Sequence, residues 1–233
     1  MRTALVAHGW LDNPSLEYRG KDKATGVCRR VRRWLAHYRG CWPAVFIDNG
    51  SAPNSCGMAS AIYQIRAINL HPHYARASML DYPNVWRAYW IIKNDLLTRY
   101  DRVLYIQTDA YVLSQRLLDY LDGCTTGWTA LWSPRYNFPE ACIQVITRCP
   151  EFEEFFAGDM DAFKYNGRVE EITLPFTHVE KGFVGDRYGE YEPSKVYEPG
   201  MEYYCQVPDS LDWDDSQFPV VRRVNGKLVV TKL

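Results

Sequence analysis

Short apolar runs and longer amphipathic segments alternate along the first two thirds of the chain. The runs at 4–7, 44–47 and 104–106 are continuous, which is typical of strands buried on both faces of a sheet. Segments 27–40 and 83–100 instead place apolar residues three or four positions apart, as an amphipathic helix does. This alternation predicts an α/β fold with a mostly parallel or mixed central sheet flanked by helices.

The remaining pattern adds further elements of both kinds. Ser114 and Gly123 are the residue types that begin and end a short helix, here predicted over 114–123. Asn225-Gly226, between two alternating segments, is a strong two-residue hairpin signal. We also predict two strands and one more helix, over 127–134, 141–149 and 150–165 respectively.

The composition is that of an ordinary globular protein, with 47% hydrophobic and 24% charged residues among 233. The net charge of −1 gives no electrostatic footprint for nucleic acid, so no nucleic-acid partner is expected. The seven cysteines include no C-x-x-C pair, and free thiols in a reducing compartment are the simplest interpretation. The apolar run before His8 is too short for a signal peptide, and no segment approaches a membrane span, so we expect a cytoplasmic protein.

Three of the predicted strands end in polar residues, at His8-Gly9, Asp48-Asn49-Gly50 and Gln107-Thr108-Asp109. Open parallel sheets bind ligands outside the carboxyl ends of their strands, so these residues define the expected site. The sequence contains neither a Gly-x-Gly-x-x-Gly motif nor a Walker loop to bind phosphate. A divalent metal held by an acid is the usual alternative, and Mg²⁺ or Mn²⁺ needs only one or two protein oxygens.

The segment YDRVLYIQTDAYVLS, at 100–114, follows a long helix and a strand that ends in an acid. In this order it resembles the nucleotide-sugar-dependent glycosyltransferases of GT-A (Rossmann-like) fold. Their signature is Asp-x-Asp after an apolar strand, and Gln107-Thr108-Asp109 occupies that place here. The resemblance covers roughly residues 3–158. It implies an enzyme that transfers a sugar from a nucleotide-sugar donor to the hydroxyl of a carbohydrate or other acceptor, with Mn²⁺ or Mg²⁺ as cofactor.

The sequence contains no internal repeat and no low-complexity tract, so we predict a single GT-A-like domain over residues 1–233. Residues 1–115 would form its nucleotide-binding part. Residues 116–233 would form the part that binds the acceptor and the donor sugar, together with an irregular C-terminal cover rich in Pro, Gly and Tyr.

Roles at the strand ends also follow from the resemblance. Asp109 would be a direct metal ligand, whereas Gln107 replaces the first acid of the signature and adds no charge for the metal. Contacts with the nucleotide are implied for His8, Gly9, Asp48, Arg87, Gln107, Thr108 and Asp109. Structural alternatives exist for four of them: a helix cap or salt bridge for Asp109, an Asx turn for Asp48, a satisfied buried histidine for His8, and a carboxylate partner for Arg87.

Four residues beyond the signature receive roles in the same way. Asn137 and Glu140 would contact the donor sugar, and Glu140 would act as the general base that deprotonates the acceptor. His178 would complete the metal shell, and Lys181 would neutralise the departing diphosphate. A solvated loop around Asn137 and Glu140, and a structural role for His178, are the alternatives.

Two other functions fit parts of the pattern. A non-catalytic GT-A-like module that binds a nucleotide or carbohydrate is favoured by Gln107. A nucleotidyltransferase shares the architecture but usually opens with a Gly-rich basic loop, and AHGWLDNPSLEYRGK at 7–21 has only scattered glycines. The donor sugar, the nucleotide, the acceptor, the stereochemical outcome and the oligomeric state are not readable from the sequence.

Overall fold

A computed structural model describes residues 1–9, 11, 29–51, 53, 57, 60, 65–70, 83–159, 174–187, 200–207 and 219–231, and the statements below concern these residues. The strands are β1 Thr3–Gly9, β2 Ala44–Asp48, β3 Arg66–Asn69, β4 Arg102–Ile106, β5 Tyr111–Val112, β6 Trp128–Ser133, β7 Phe138–Thr147, β8 His178–Glu180, β9 Gly185–Arg187, β10 Tyr203–Cys205, β11 Val220–Val224 and β12 Lys227–Thr231. The helices are α1 Arg29–His37, α2 Pro83–Ile91, α3 Gln115–Gly123 and α4 Pro150–Phe155.

Seven strands form the central sheet, in the order β3-β2-β1-β4-β7-β6-β8. The first four run parallel, β7 is antiparallel to both of its neighbours, and β8 is parallel to β6. From β1 the chain builds outward through β2 and β3, then returns to place β4 on the other side of β1. The carboxyl ends of β1 and β4 therefore flank a topological switch point, where open α/β sheets bind their ligands.

Helices cover both faces of the sheet, because alternate residues of the buried strands point to opposite sides. On one face Leu5, Phe46 and Leu104 pack with α1 and α3, and on the other Val6, Ile47 and Tyr105 pack with α2 and α4. Trp34 and Trp128, each 0% exposed, lie in the two opposite cores. The prediction of an α/β fold with a mixed, mostly parallel sheet flanked by helices is confirmed.

Several local predictions agree with the structure. The Ser114 hydroxyl accepts a hydrogen bond from the backbone N–H of Leu117, as an N-cap does. Asn225 and Gly226 both have positive φ, of 49° and 80°, and join β11 and β12 in an antiparallel hairpin. Within the described parts of the chain, no helix has the length and apolar character needed to cross a membrane.

Two helices differ from the sequence pattern. The helix predicted over 83–100 continues past α2 through a π-helical stretch at Ile92–Leu96 and a last turn at Leu97–Arg99. Within this continuous helix, Lys93 donates hydrogen bonds to the carbonyls of Glu153 and Phe156. The helix predicted over 150–165 ends at Phe155, and its residues from 160 onward lie outside the described residues.

Candidate functional site at the carboxyl edge of the sheet

The signature segment forms a tight turn directly after β4. The backbone N–H of Ala110 donates to the carbonyl of Gln107 at 3.0 Å, and that of Gln107 donates to the carbonyl of Cys142 on β7 at 2.9 Å. The carbonyl of Asp109 accepts from the N–H of Val207 at 3.1 Å. Asp109 is 9% exposed. The turn is thus fixed from two sides, and its acid lies at the switch point.

The end of β1 lies beside this turn. The register pairs Val6 with Tyr105 and, continued by two residues, places His8 level with Gln107. A Cβ atom on Gly9 would lie 3.2 Å from the Phe46 ring and 3.9 Å from the methyl group of Thr108. Glycine at this position therefore allows the ends of β1, β2 and β4 to approach closely.

The His8 side chain carries an unsatisfied nitrogen. Its Nε2 atom is buried and has no hydrogen-bond partner among the residues that the structure describes. Burial lowers the pKa of His8 to about 4, so the imidazole is neutral at pH 7. Buried polar atoms are normally satisfied, and an orphan beside a switch point is a place where a ligand can supply the missing partner.

Asp48 serves the turn after β2. Its carboxylate is 0% exposed and accepts hydrogen bonds from the N–H of Leu11 and from both the N–H and the hydroxyl of Ser51. These contacts match the Asx-turn alternative, in which the acid organises the backbone that follows it. The predicted contact between Asp48 and a nucleotide stays a prediction.

Arg87 lies half-buried on α2. Its guanidinium donates to the carbonyl of Leu70, directly after β3, at 3.4 Å. This contact directs the arginine toward the carboxyl end of β3, on the same edge of the sheet as His8. Its predicted role in binding phosphate remains untested.

Glu140 lies inside the molecule. Its side chain is 1% exposed and receives two hydrogen bonds from the guanidinium of Arg187, at 2.9 and 3.3 Å, together with the N–H of Cys142. Arg187 in turn stacks on the rings of Tyr136 and Phe138. A general base must reach the acceptor hydroxyl, and this carboxylate is instead engaged by a buried cation. We therefore do not propose Glu140 as the catalytic base.

His178 does not lie with Asp109. In the sheet register, His178 on β8 pairs with Thr129 on β6, Thr129 pairs with Val145 on β7, and Val145 pairs with Leu104 on β4. His178 is therefore three strands away from β4. It lies level with Leu104, which precedes Asp109 by five residues. Three strand spacings are about 14 Å, whereas two oxygen or nitrogen ligands of one Mg²⁺ lie at most about 4 Å apart. His178 is exposed and contacts Glu180 at 3.4 Å. The structure thus separates the two predicted metal ligands, and we do not propose His178 as a ligand of the ion at Asp109.

Lys181 and Asn137 lie near the same end of the sheet, on its antiparallel half. Lys181 follows β8 and places its ammonium 4.2 Å from the centre of the Trp132 ring. Asn137 is exposed at the β6–β7 turn, with a positive φ of 57°, and its N–H donates to the carbonyl of Ser133. Their predicted contacts with diphosphate and donor sugar remain predictions.

Two cysteines next to the signature turn, Cys142 and Cys205, were not predicted as site residues from the sequence. The ligand atoms of Glu140, Cys142 and Cys205 lie within 4.8 Å of one another, and all three residues are buried. The Cys142 thiol donates to Oε1 of Gln107 at 3.1 Å. No spacing motif signals this cluster, because Cys205 reaches it only through the pairing of β10 with β5 and β9.

The donor set at the turn fits a hard divalent cation only sparsely. Asp109 supplies one carboxylate, and Gln107 supplies a neutral amide oxygen that already accepts from a thiol. One carboxylate is sufficient for Mg²⁺ or Mn²⁺ when substrate phosphates and water complete the shell. The residues present therefore fit a metal that is bound together with its substrate.

Comparison with known proteins establishes the fold. The sequence matches no protein-family profile and no curated protein. An active-site mutant of LgtC is similar over 88% of this chain and 86% of that chain, with 12% identity and a TM-score of 0.51. The galactosyltransferase LgtC with donor and acceptor sugar analogs gives 13% identity, the same coverage and a TM-score of 0.48. A nucleotide-diphospho-sugar transferase from Desulfovibrio desulfuricans gives 13% identity over 78% and 80% of the chains, with a TM-score of 0.44. The similarity to the LgtC mutant, at a TM-score of 0.51, shows that the chain has the GT-A fold.

Proposed function

We propose that this chain is a glycosyltransferase that moves a sugar from a nucleotide-sugar donor to an acceptor hydroxyl. The observation that carries the proposal is the placement of Asp109 and the unsatisfied Nε2 of His8 at the switch point between β1 and β4. The GT-A fold supports it, because a ligand in such a sheet binds at this edge. We retain a cytoplasmic location and the division into residues 1–115 and 116–233 as parts of the proposal.

In this proposal the nucleotide lies along the carboxyl edge. His8 Nε2 would hydrogen-bond the base or ribose, beside the close packing of Gly9 with Phe46 and Thr108. Arg87 would provide positive charge toward phosphate from the β3 side. Asp48 would hold the turn after β2, and its predicted contact with the nucleotide remains part of the proposal.

Asp109 would hold the divalent ion, with Gln107 beside it. When bound, Mg²⁺ or Mn²⁺ supplies Lewis-acid stabilisation of the negative charge that grows on the departing diphosphate. The protein's own contribution is to fix Asp109 in a turn that is anchored to β7 and to Val207. Such anchoring keeps the carboxylate in place without reorganisation during the reaction.

The antiparallel half would bind the other substrate groups. Asn137 is exposed at the β6–β7 turn, and the Lys181 ammonium lies over the ring of Trp132. Lys181 would contribute a cation near the diphosphate, and Asn137 a contact with the donor sugar. The base is left unassigned, because Glu140 is paired with Arg187.

The test is a donor panel. The protein would be incubated with nucleotide sugars, Mn²⁺ and a mixture of simple sugar acceptors, and released nucleoside diphosphate would be measured. We expect turnover with at least one donor, loss of turnover in Asp109→Asn, and retention in the matched surface variant Asp119→Asn on α3. Equal turnover in both variants would overturn the assignment of Asp109.

A binding module without catalysis is the second candidate, and Gln107 is the observation that favours it. In that case, a nucleotide sugar would stabilise the protein against heat, yet no diphosphate would be released. The variant Gln107→Asp restores the first acid of the signature and should strengthen metal binding. Turnover that appears only in Gln107→Asp would favour the module as the natural function.

A further inference from the structure

We propose that Glu140, Cys142 and Cys205 form a binding site for a thiophilic divalent ion such as Zn²⁺, separate from the predicted Asp109 site. Their ligand atoms lie within 4.8 Å of one another in a buried cluster. Both cysteines are free thiols. The inference does not rest on sugar transfer, because it concerns a metal that binds to protein groups alone.

The cluster is assembled from distant parts of the chain. Glu140 and Cys142 alternate along β7, and Cys205 ends β10, which pairs in parallel with β9. The backbone rather than mobile side chains therefore sets the spacing of the three ligands. An ion at this position would join the central sheet to the three-stranded sheet β5-β10-β9.

The charge balance favours a metal here. Without an ion the cluster holds one carboxylate and the Arg187 guanidinium, paired at 2.9 Å. Binding of Zn²⁺ by two thiolates would release two protons and leave the buried group with the same net charge. A buried cluster that stays neutral avoids the large cost of an uncompensated charge in the interior.

Arg187 would orient the carboxylate as an outer-shell group. It bonds both oxygens of Glu140, at 2.9 and 3.3 Å, and stacks on Phe138 and Tyr136. Metal-bound carboxylates are themselves usually hydrogen-bonded, and such partners fix the ligand geometry. Burial raises the pKa of Cys205 to about 12, so thiolate would form there only when an ion replaces the proton.

The ligand types decide which ion fits. Thiolates prefer Zn²⁺ and similar soft or borderline ions, whereas oxygen ligands suit Mg²⁺ and Mn²⁺. Three protein ligands leave a fourth tetrahedral position, as in zinc sites that retain water or another group. Gln107 Oε1 accepts a hydrogen bond from the Cys142 thiol at 3.1 Å, so this amide lies beside the cluster.

The experiment uses Co²⁺ as a spectroscopic probe and Zn²⁺ as the competitor. The reduced, chelator-treated full chain would be titrated with Co²⁺ while thiolate-to-metal charge-transfer absorption is followed. We expect one strong site per chain, displaced by Zn²⁺, and a Zn²⁺-dependent rise in the unfolding temperature. Absence of the charge-transfer band from the intact chain would overturn the proposal, whatever the variants do.

Variants identify the ligands. Cys142→Ser with Cys205→Ser should abolish the band, while Cys124→Ser, which changes a half-buried thiol outside the cluster, should leave it unchanged. Arg187→Lys keeps the charge but loses the two-point contact, and should weaken metal binding by about 10- to 100-fold. A band that persists in the double serine variant would assign the ion to other cysteines and refute the site.

Discussion

His8 is half-buried with a buried Nε2 atom and His37 is fully buried, and the two histidines lie in regions of different character. His8 ends β1 at the carboxyl edge, and its Nε2 has no partner among the described residues. His37 ends α1 at what we call the cover junction, formed with Tyr38, Val112 and Pro219. There its Nε2 lies 3.0 Å from the carbonyl of Val112, and its ring packs edge-on against Tyr38 and Tyr111.

Burial lowers the pKa of both rings to about 4, although backbone hydrogen bonds at Val112 and Pro219 oppose this for His37. The two residues thus share residue type and protonation state, but only His37 has a hydrogen-bond partner for Nε2 among the described residues. This difference shows that burial alone does not mark a functional histidine. An unmet hydrogen bond at a ligand-binding edge is the more informative feature.

The largest expected effect tests the carboxyl edge. Asp109→Asn should lower turnover by about 100-fold or more, because the carboxylate is the only acid of the signature and the charge stabilisation it supports is lost. Its unfolding temperature should stay near that of the parent. Nucleoside diphosphate release and thermal unfolding measure the two properties.

Glu202→Gln is the matched substitution of an acid beside the cover junction. Burial would raise the pKa of Glu202, but Arg116, the N–H of Val184 and the hydroxyl of Ser114 together lower it below its usual value. Glu202→Gln should lower stability without changing turnover per folded molecule. If Asp109→Asn also lowered stability without changing turnover per folded molecule, Asp109 would have a structural role like that of Glu202.

Lowering the pH should lower the stability of the folded chain through both His8 and His37. Each is neutral in the folded state with a pKa of about 4 and titrates near 6.5 when unfolded. The unfolded chain therefore binds more protons as pH falls below 6.5, and each histidine costs up to about 3 kcal/mol of stability by pH 4. Stability from this source is complete above pH 6.5.

Denaturant unfolding between about pH 7 and about pH 5 measures this dependence. His37→Gln keeps a polar side chain that does not titrate in this range. Its stability should fall less steeply with acid than that of the parent. An unchanged slope would mean that His37 is accessible to protons in the folded state. Nucleotide binding through neutral His8 should stay constant between about pH 7 and about pH 5, because the pKa of His8 in the folded chain is about 4.

A matched substitution separates the two histidines directly. His37→Leu leaves the carbonyl of Val112 unsatisfied and should cost about 1–3 kcal/mol of stability. His8→Leu removes an atom that has no described partner, so stability should change little, while nucleotide affinity should fall by about tenfold. Equilibrium unfolding and calorimetric titration with nucleoside diphosphates provide the readouts. The opposite pattern would assign the structural role to His8.

The smallest effect concerns the hairpin that packs against the cover junction. Asn225 holds a φ of 49°, which costs most residues about 1 kcal/mol more than glycine or asparagine. Asn225→Ala should therefore lower stability by about 1 kcal/mol, while Asn225→Gly should be nearly neutral. Neither should alter nucleotide binding, since the hairpin lies away from the carboxyl edge. A loss of binding in Asn225→Ala would couple the two regions.

The sequence by itself determined the alternation of elements, the helix cap at Ser114 and the hairpin at Asn225-Gly226, because these depend on periodicity and on residue types close in the chain. It also indicated that polar residues end three buried strands. The parallel direction of those strands follows from the alternation of strands with helices, so the carboxyl edge was predictable.

Only the tertiary structure decided which polar groups pair with one another. Glu140 pairs with Arg187 of β9, and His178 lies three strands from Asp109. Cys205 lies next to Cys142 although 63 positions separate them in the sequence. Such contacts depend on strand order and register, which local pattern does not specify. A carboxylate or thiol has the same appearance in the sequence whether or not the fold supplies its partner.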